Sequence, residues 1–193
     1  KKGKTFVAVK IYRIETSNFA QHAKYLFEDD EVKKLGKTPQ KLIYAWTEKE
    51  FTNMQLAKSN GVSVPKVIDV EGNVIVMELI GKTFPCKTIK YNPPKDLKEI
   101  KEIYKQLVVN LHKLIYKAKL IHADLSEYNL IFYNKKLYLI DFGQTGSVKL
   151  PNAKEFVNRD IKNMVKFLGK CGLETTVEKI KKDIKNGFVS EKW

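Results

Sequence analysis

Between residues 121 and 144 the sequence reads Ile-His-Ala-Asp-Leu-Ser-Glu-Tyr-Asn, an apolar run Leu130–Tyr133, a turn at Asn134-Lys135-Lys136, a second run Leu137–Ile140, then Asp-Phe-Gly-Gln. A polar loop, a short hairpin and a strand end in this order constrain the fold more than any other stretch, because they bring Asp124, Asn129 and Asp141 to one rim. Asn129 and Asp141 can then supply hard oxygens to Mg²⁺, which keeps several waters and takes the rest of its shell from phosphates. Asp124 is left to orient or deprotonate a hydroxyl or a water. Phosphoryl transfer needs that division of labour. Two aspartates alone would carry little weight, since caps and turns use most of them. The full spacing, His-x-Asp-Leu, an Asn five residues after the Asp, and Asp-Phe-Gly after a hairpin, describes a kinase-type catalytic centre.

The upstream half supplies matching parts. Thr5–Arg13 is β-branched and aromatic and alternates with period two, so it reads as a strand. Its Val-Ala-Val-Lys places Lys10 to pair with nucleotide α- and β-phosphates. Lys10 then needs a carboxylate on the following helix, and Glu50 is the choice over Glu48, which falls on a different helix face. Val76-Met-Glu-Leu-Ile80 leaves a strand for a linker; the backbone of Glu78 and Ile80 can bond an adenine edge, and Met77 can line the back of the pocket. Ser126 and Ile140 are grouped with Asn129 as further nucleotide contacts.

The rest of the pattern divides the chain near Gly81. Residues 1–80 read as strand, long loop (Glu15–Gln40), helix (Lys41–Ser59) and a hairpin of Val62–Val70 with Val74–Ile80 around Glu71-Gly72-Asn73. Residues 81–193 read as a proline-punctuated connector, then a long helix capped by Asp96 with a core stripe from Leu97 to Ile115. The small hairpin follows, and helices near Ala153–Leu168 and Thr175–Asn186 end the chain. The expected class is α+β: a trimmed bilobal fold with a β-rich N-lobe and a small α-rich C-lobe. With 193 residues and 43% hydrophobic side chains, it can bury a substantial core.

Charge narrows the partners. Thirty-six Lys and Arg against 22 Asp and Glu give +14, and so basic a surface expects a polyanion. Lys1–Lys4, Lys33-Lys34 and Lys179–Lys185 are the candidate footprints. Cys86 and Cys171 exclude a disulfide scaffold and a four-cysteine zinc site, and fit a reducing cytosol. No apolar run reaches the roughly 18–20 residues of a membrane span. His22 and His112 lack metal-ligand spacing, and His122 is expected to bond within its loop rather than titrate.

These motifs together resemble the RIO family of atypical protein kinases, in its Rio-one branch. The resemblance rests on Val7-Ala-Val-Lys-Ile-Tyr-Arg-Ile-Glu-Thr-Ser-Asn18 with its long following loop, on His122-Ala-Asp-Leu-Ser-Glu-Tyr-Asn129, on Asp141-x-x-Gln144 and on Glu155-Phe-Val-Asn-Arg-Asp160. It implies a trimmed kinase fold and ATP with Mg²⁺ (Mn²⁺ in its place) as substrate. It also implies serine/threonine autophosphorylation or ATP hydrolysis, and a cytoplasmic role in maturing the small ribosomal subunit with its rRNA. A monomer or weak dimer is expected. The family's phosphate loop is expected ahead of the first strand here, so the N-lobe is expected to lack its first strands and that loop.

Departures from ordinary protein kinases point the same way. No Ala-Pro-Glu follows Asp-Phe-Gly, Ala123 stands where an arginine would read an activation-loop phosphate, and Ser126 stands where a lysine would reach the γ-phosphate. An ATPase or self-phosphorylating switch on a large partner is favoured over a general protein-substrate kinase. Two rivals remain: an aminoglycoside- or choline-kinase-type small-molecule phosphotransferase, and a nucleotide-gated rRNA-binding module with negligible catalysis.

Overall fold

The computed structural model describes residues 6–13 and 38–188. In chain order these form β1 (Val7–Ile11), α1 (Pro39–Ser59), β2 (Val67–Glu71), β3 (Val74–Glu78), α2 (Leu97–His112), β4 (Leu120–Ile121), β5 (Leu130–Tyr133), β6 (Lys136–Leu139), β7 (Gly146–Ser147), α3 (Ala153–Lys170) and α4 (Val177–Asn186). The basic turn at Lys1–Lys4, His22, Lys33-Lys34 and most of the expected 15–40 loop lie outside the described residues.

The first half builds one antiparallel sheet in the order β1-β3-β2. Its register pairs Lys10 with Ile75 and Ile11 with Val74. Helix α1 begins two residues earlier than expected, because Pro39 takes the first helical position, where its missing N–H is no loss. Its buried face is Ile43, Trp46, Thr47, Glu50, Asn53, Met54 and Ala57, and it packs on β2 and β3. Strand β2 is shorter than expected: Val62–Lys66 precedes it outside the strand, and a register irregularity separates Val67 from Asp69. The tight turn is Gly72-Asn73, with Gly72 at φ 55° against the Tyr44 ring.

Asp96 caps α2 as expected, accepting from the Glu99 N–H at 2.8 Å. The stripe from Ile100 to Leu111 is buried, whereas Leu97, at the open first turn, is exposed. The helix ends at His112 and unwinds into a π turn, Lys113–Lys117, that still buries Leu114. Strands β5 and β6 pair across Asn134-Lys135, both left-handed at φ 48° and 61°. That two-residue turn shifts β6 one residue earlier than the three-residue loop expected; consecutive positive φ values match the twist of paired strands. The pairing of β4 with β7 was not legible, since two-residue strands carry no period. Helices α2, α3 and α4 pack together, and one apolar core runs from Met54 and Ile75 through Ile103, Leu107, Leu125 and Phe142 to Met164 and Ile180. The sheet and the helices therefore share one interior, and the charged residues described next lie on its edge.

Candidate active site

Strand alternation aims Lys10 and Tyr12 inward while Val7, Val9 and Ile11 face outward. Lys10 Nζ lies 2.8 Å from Glu50 Oε1 and 2.8 Å from Asp141 Oδ1. Glu50 is 1% exposed, and a lone carboxylate there would be strongly unfavourable. It is instead saturated: Oε1 also accepts the Phe142 N–H at 2.9 Å, and Oε2 accepts the Tyr12 hydroxyl. Glu48, the competing partner, is exposed. Burial by itself would lower the pKa of Lys10, but the Glu50 and Asp141 carboxylates overcome it and hold the amine charged. Burial likewise works to raise Asp141, and the Lys10 ammonium outweighs it, keeping that carboxyl ionised and below its usual range. Burial and then Glu50 push the Tyr12 phenol up, so it remains a donor.

Tyr12 was missed by sequence reasoning, although its signal is simple: it is the next residue on the Lys10 face. The β2–β3 turn pins it, with Asn73 O accepting the Tyr12 N–H at 2.9 Å and Asn73 Nδ2 donating to Tyr12 O at 2.7 Å. The same corner explains Gly143. A Cβ there would lie 2.9 Å from Trp46 Nε1, 3.0 Å from Tyr12 Oη and 3.4 Å from Asp141 Oδ1.

The His122–Asn129 loop is held from α3. Ala123 sits at φ 64°, a left-handed backbone that an alanine adopts only when constrained. Asp160 supplies the constraint by accepting the N–H groups of Ala123 at 2.9 Å and Leu125 at 3.0 Å, while Arg159 donates to the Ala123 carbonyl. Burial raises Asp160 to about 7 despite those bonds. Asp160 stood in the sequence only as the end of the Glu155–Asp160 segment, with no role read for it; it lies on the buried stripe of α3 with Ile161 and Met164. His122 is buried and held neutral, its pKa lowered to about 4 by loss of solvent. Its Nε2 faces the Ile140 carbonyl at 3.1 Å and must be the donor, so the bond expected within its own loop goes instead to the strand end before Asp141.

Hairpin register sets Asn129 beside the strand end that carries Asp141, and Asn129 holds Asp124. Ile140 N–H donates to Asn129 O at 3.0 Å, which places Asn129 beside the Ile140–Asp141 step. Asn129 Nδ2 donates to Asp124 O at 2.7 Å and lies 3.4 Å from Asp124 Oδ2. The amide nitrogen is thereby engaged, and the oxygen is the atom a cation can use. Asp141, at φ 62°, projects from the strand end with its carboxylate half exposed.

A cavity of about 240 Å³ opens over this floor, lined by Lys10, Glu50, Met77, Glu78, Ile80, Ile140 and Asp141 among the expected residues. Ala8, Val9, Met54, Pro65, Pro85 and Ile131 complete it. Ala8 and Val9 belong to the Val-Ala-Val-Lys motif, whereas Met54, Pro65, Pro85 and Ile131 are apolar residues that no chemical motif marks and that the closing of the sheet over the hairpin selects. The Glu78 N–H is taken by Lys66 O and the Ile80 carbonyl by the Cys86 N–H, both at 2.8 Å. Ser126 does not line the cavity: its hydroxyl accepts from the Tyr128 N–H at 3.3 Å and its carbonyl from the Asn129 N–H, so its visible task is the loop turn. Among the described residues no cluster of three or more His, Cys, Asp or Glu forms a metal cage.

The sequence matches the RIO domain model over residues 1–181. It is 39% identical over 172 residues to the RIO-type serine/threonine-protein kinase Rio1 of Haloferax volcanii, covering 87% of this chain and 57% of that protein. It is 36% identical over 184 residues to the protein of the same name from Thermoplasma acidophilum, covering 95% of both. The serine/threonine-protein kinase RIO1 of Saccharomyces cerevisiae is 35% identical over 180 residues, covering 90% of this chain and 37% of that protein. In structure, the Rio2 kinase of Chaetomium thermophilum in its ADP/Mg²⁺–phosphoaspartate complex superposes with a TM-score of 0.67 at 22% identity, over 95% of this chain and 55% of that one. The architecture is thus a trimmed kinase-like α+β fold, and the chain belongs to the RIO family of serine/threonine-protein kinases.

Proposed function

We propose that this chain is an ATP-dependent serine/threonine kinase or ATPase of the RIO type, working as an autophosphorylating switch. The observation that carries the reading is Lys10, bonded at 2.8 Å to both Glu50 and Asp141 in the cleft that Met77, Ile80 and Ile140 also line, with Asn129, bonded beside the Ile140–Asp141 step, clasped to Asp124. Lys10 remains charged and is positioned for anionic phosphate oxygens; Glu50 orients it and, through Phe142, ties α1 to the Asp141 loop. Met77 and Ile140 offer apolar surface to a base, while the Glu78 carbonyl and the Ile80 N–H are the groups left to read its edge. Asp124 orients or deprotonates the attacking hydroxyl.

Asp141 and the Asn129 amide oxygen suit a hard divalent cation that keeps much of its water. Magnesium, or manganese in its place, would neutralise charge on the transferring phosphoryl group. The ADP/Mg²⁺–phosphoaspartate state of the Chaetomium thermophilum enzyme supports this choice of nucleotide and metal. The net charge of +14 supports a polyanionic partner, which we assign as the pre-ribosomal small subunit with its rRNA, met in the cytoplasm by a monomer or weak dimer.

The test is single-turnover hydrolysis of labelled ATP by the full chain with Mg²⁺, with and without pre-ribosomal particles. Asp141→Ala and Asp124→Ala should each remove turnover. Hydroxylamine treatment of the labelled protein separates an acyl phosphate from a serine or threonine phosphate. Undiminished turnover in both variants would overturn the reading.

A further inference from the structure

The connector between the cleft and α2 carries a feature that nucleotide chemistry does not use. Residues 81–95 contain Lys82, Lys87, Lys90 and Lys95 and no acidic residue. Interleaved with them are Phe84, 80% exposed, and Tyr91, 68% exposed, and Tyr128 of the catalytic loop adds a third ring at 47%. Tyr91 meets Tyr128 edge-on at 6.1 Å between centroids, and Lys90 Nζ sits 5.0 Å over the Tyr128 ring. A single exposed ring is ordinary, but rings grouped with lysines in one segment have the composition of a binding surface.

The backbone that carries these side chains is fastened at several points. Gly81 pairs with Pro85, and an added Cβ at Gly81 would collide with the Phe84 carbonyl, so the turn that presents Phe84 depends on that glycine. Cys86 N–H is bonded to Ile80 O at the cleft, while Ile89 and Lys90 N–H are bonded to Leu130 O and Glu127 O of the catalytic segment. The connector is therefore fastened at one end to the cleft, which Ile80 and Pro85 line, and at the other to the residues flanking Asn129.

We propose that this connector is a stacking platform for single-stranded RNA, delivering a strand to the rim of the active site. The proposal deepens the rRNA part of the functional reading above and rests on it. Exposed rings accept any base by stacking, and intervening lysines follow the phosphates. The acidic side chain beside the rings, Glu127, lies 3.7 Å from Lys90, and among the described residues no ion pair engages Lys82 or Lys87. An acidic or phosphorylated peptide would favour arginine forks, and the connector holds lysines only.

Fluorescence anisotropy of a labelled oligouridine of about 12 nucleotides, titrated with the full chain between about 50 and 200 mM salt, tests the platform. Binding should be salt-steep. Tyr91→Ala should weaken it about 5- to 100-fold, the loss of one stacked base, while Tyr91→Phe, which keeps the ring, should bind like the parent. Lys87→Glu with Lys90→Glu should lower the salt slope by about 0.7 for each phosphate that is no longer neutralised. Parent-like binding by Tyr91→Ala overturns the platform while leaving an RNA partner standing. An acidic peptide that displaces oligouridine with the same ring dependence reassigns the surface to a protein and also overturns it. Absence of any oligouridine binding removes both the platform and the RNA part of the functional reading. ATP turnover is scored separately through Asp141→Ala.

Discussion

Glu50 is the residue on which the two halves of the active site depend, and its removal gives a sharp quantitative expectation. In Glu50→Ala the Phe142 N–H loses its acceptor in a buried position, the Tyr12 hydroxyl loses the Glu50 carboxylate, and the half-exposed Asp141 becomes the carboxylate left to Lys10. Removing one partner of a buried ion pair costs about 3–5 kcal/mol. At about 2–4 °C per kcal/mol for a chain of this length, Tm should fall by about 6–20 °C. Glu50→Gln isolates the charge. The glutamine oxygen can still accept from Phe142, and its NH₂ can donate to Tyr12, whose hydroxyl turns to accept; the loss should then be about 1–2 kcal/mol. Scanning calorimetry of both variants, joined by Lys10→Met and the Lys10→Met/Glu50→Gln double variant, completes the measurement. The cycle should show coupling of about 1 kcal/mol or more, because the two side chains touch. A Glu50→Ala midpoint within about 2 °C of the parent, or an additive cycle, would refute the assignment of Glu50 as the buried counter-charge.

Two further expectations follow from neighbouring geometry. Gly143→Ala should lose most ATP turnover with a stability loss of only about 1–3 kcal/mol, since its new methyl must displace the buried Trp46 and the Tyr12 hydroxyl that flank Asp141; parent-like kinetics would show that the corner is soft. His122 and Asp160 should act oppositely on stability as pH changes. His122, near 6.5 unfolded and about 4 folded, loses stability as pH falls from 6.5 to 4. Asp160, near 3.8 unfolded and about 7 folded, gains stability as pH falls from 7 to 3.8. Their contributions should nearly cancel between pH 4 and 6.5. Asp160→Asn removes the second, so its urea-unfolding free energy should drop by up to about 3 kcal/mol across that window; a pH-independent variant would contradict the neutral, buried His122.

The chemistry of this protein was legible in sequence because it depends on residue types at short, fixed spacings. Asp124, Asn129 and Asp141 are separated by one loop and one hairpin, and backbone geometry leaves such segments few ways to arrange themselves. Lys10 stood out as a cation in an otherwise apolar alternating strand, and the Asp96 cap and the apolar stripe of α2 followed from local periodicity. Tertiary structure decided what joins residues far apart in the chain. It chose Glu50 over Glu48 by burying one helix face, brought Tyr12 onto that carboxylate through the β2–β3 turn, and set Asp160 behind Ala123. It kept Ser126 in the loop turn and away from the cavity wall. It also left the connector rings Phe84 and Tyr91 in solvent, which the connector's proline pattern did not specify. The physical reason is common to all five: burial and hydrogen-bond satisfaction are properties of the packed interior, and local pattern specifies only which residues are able to enter it.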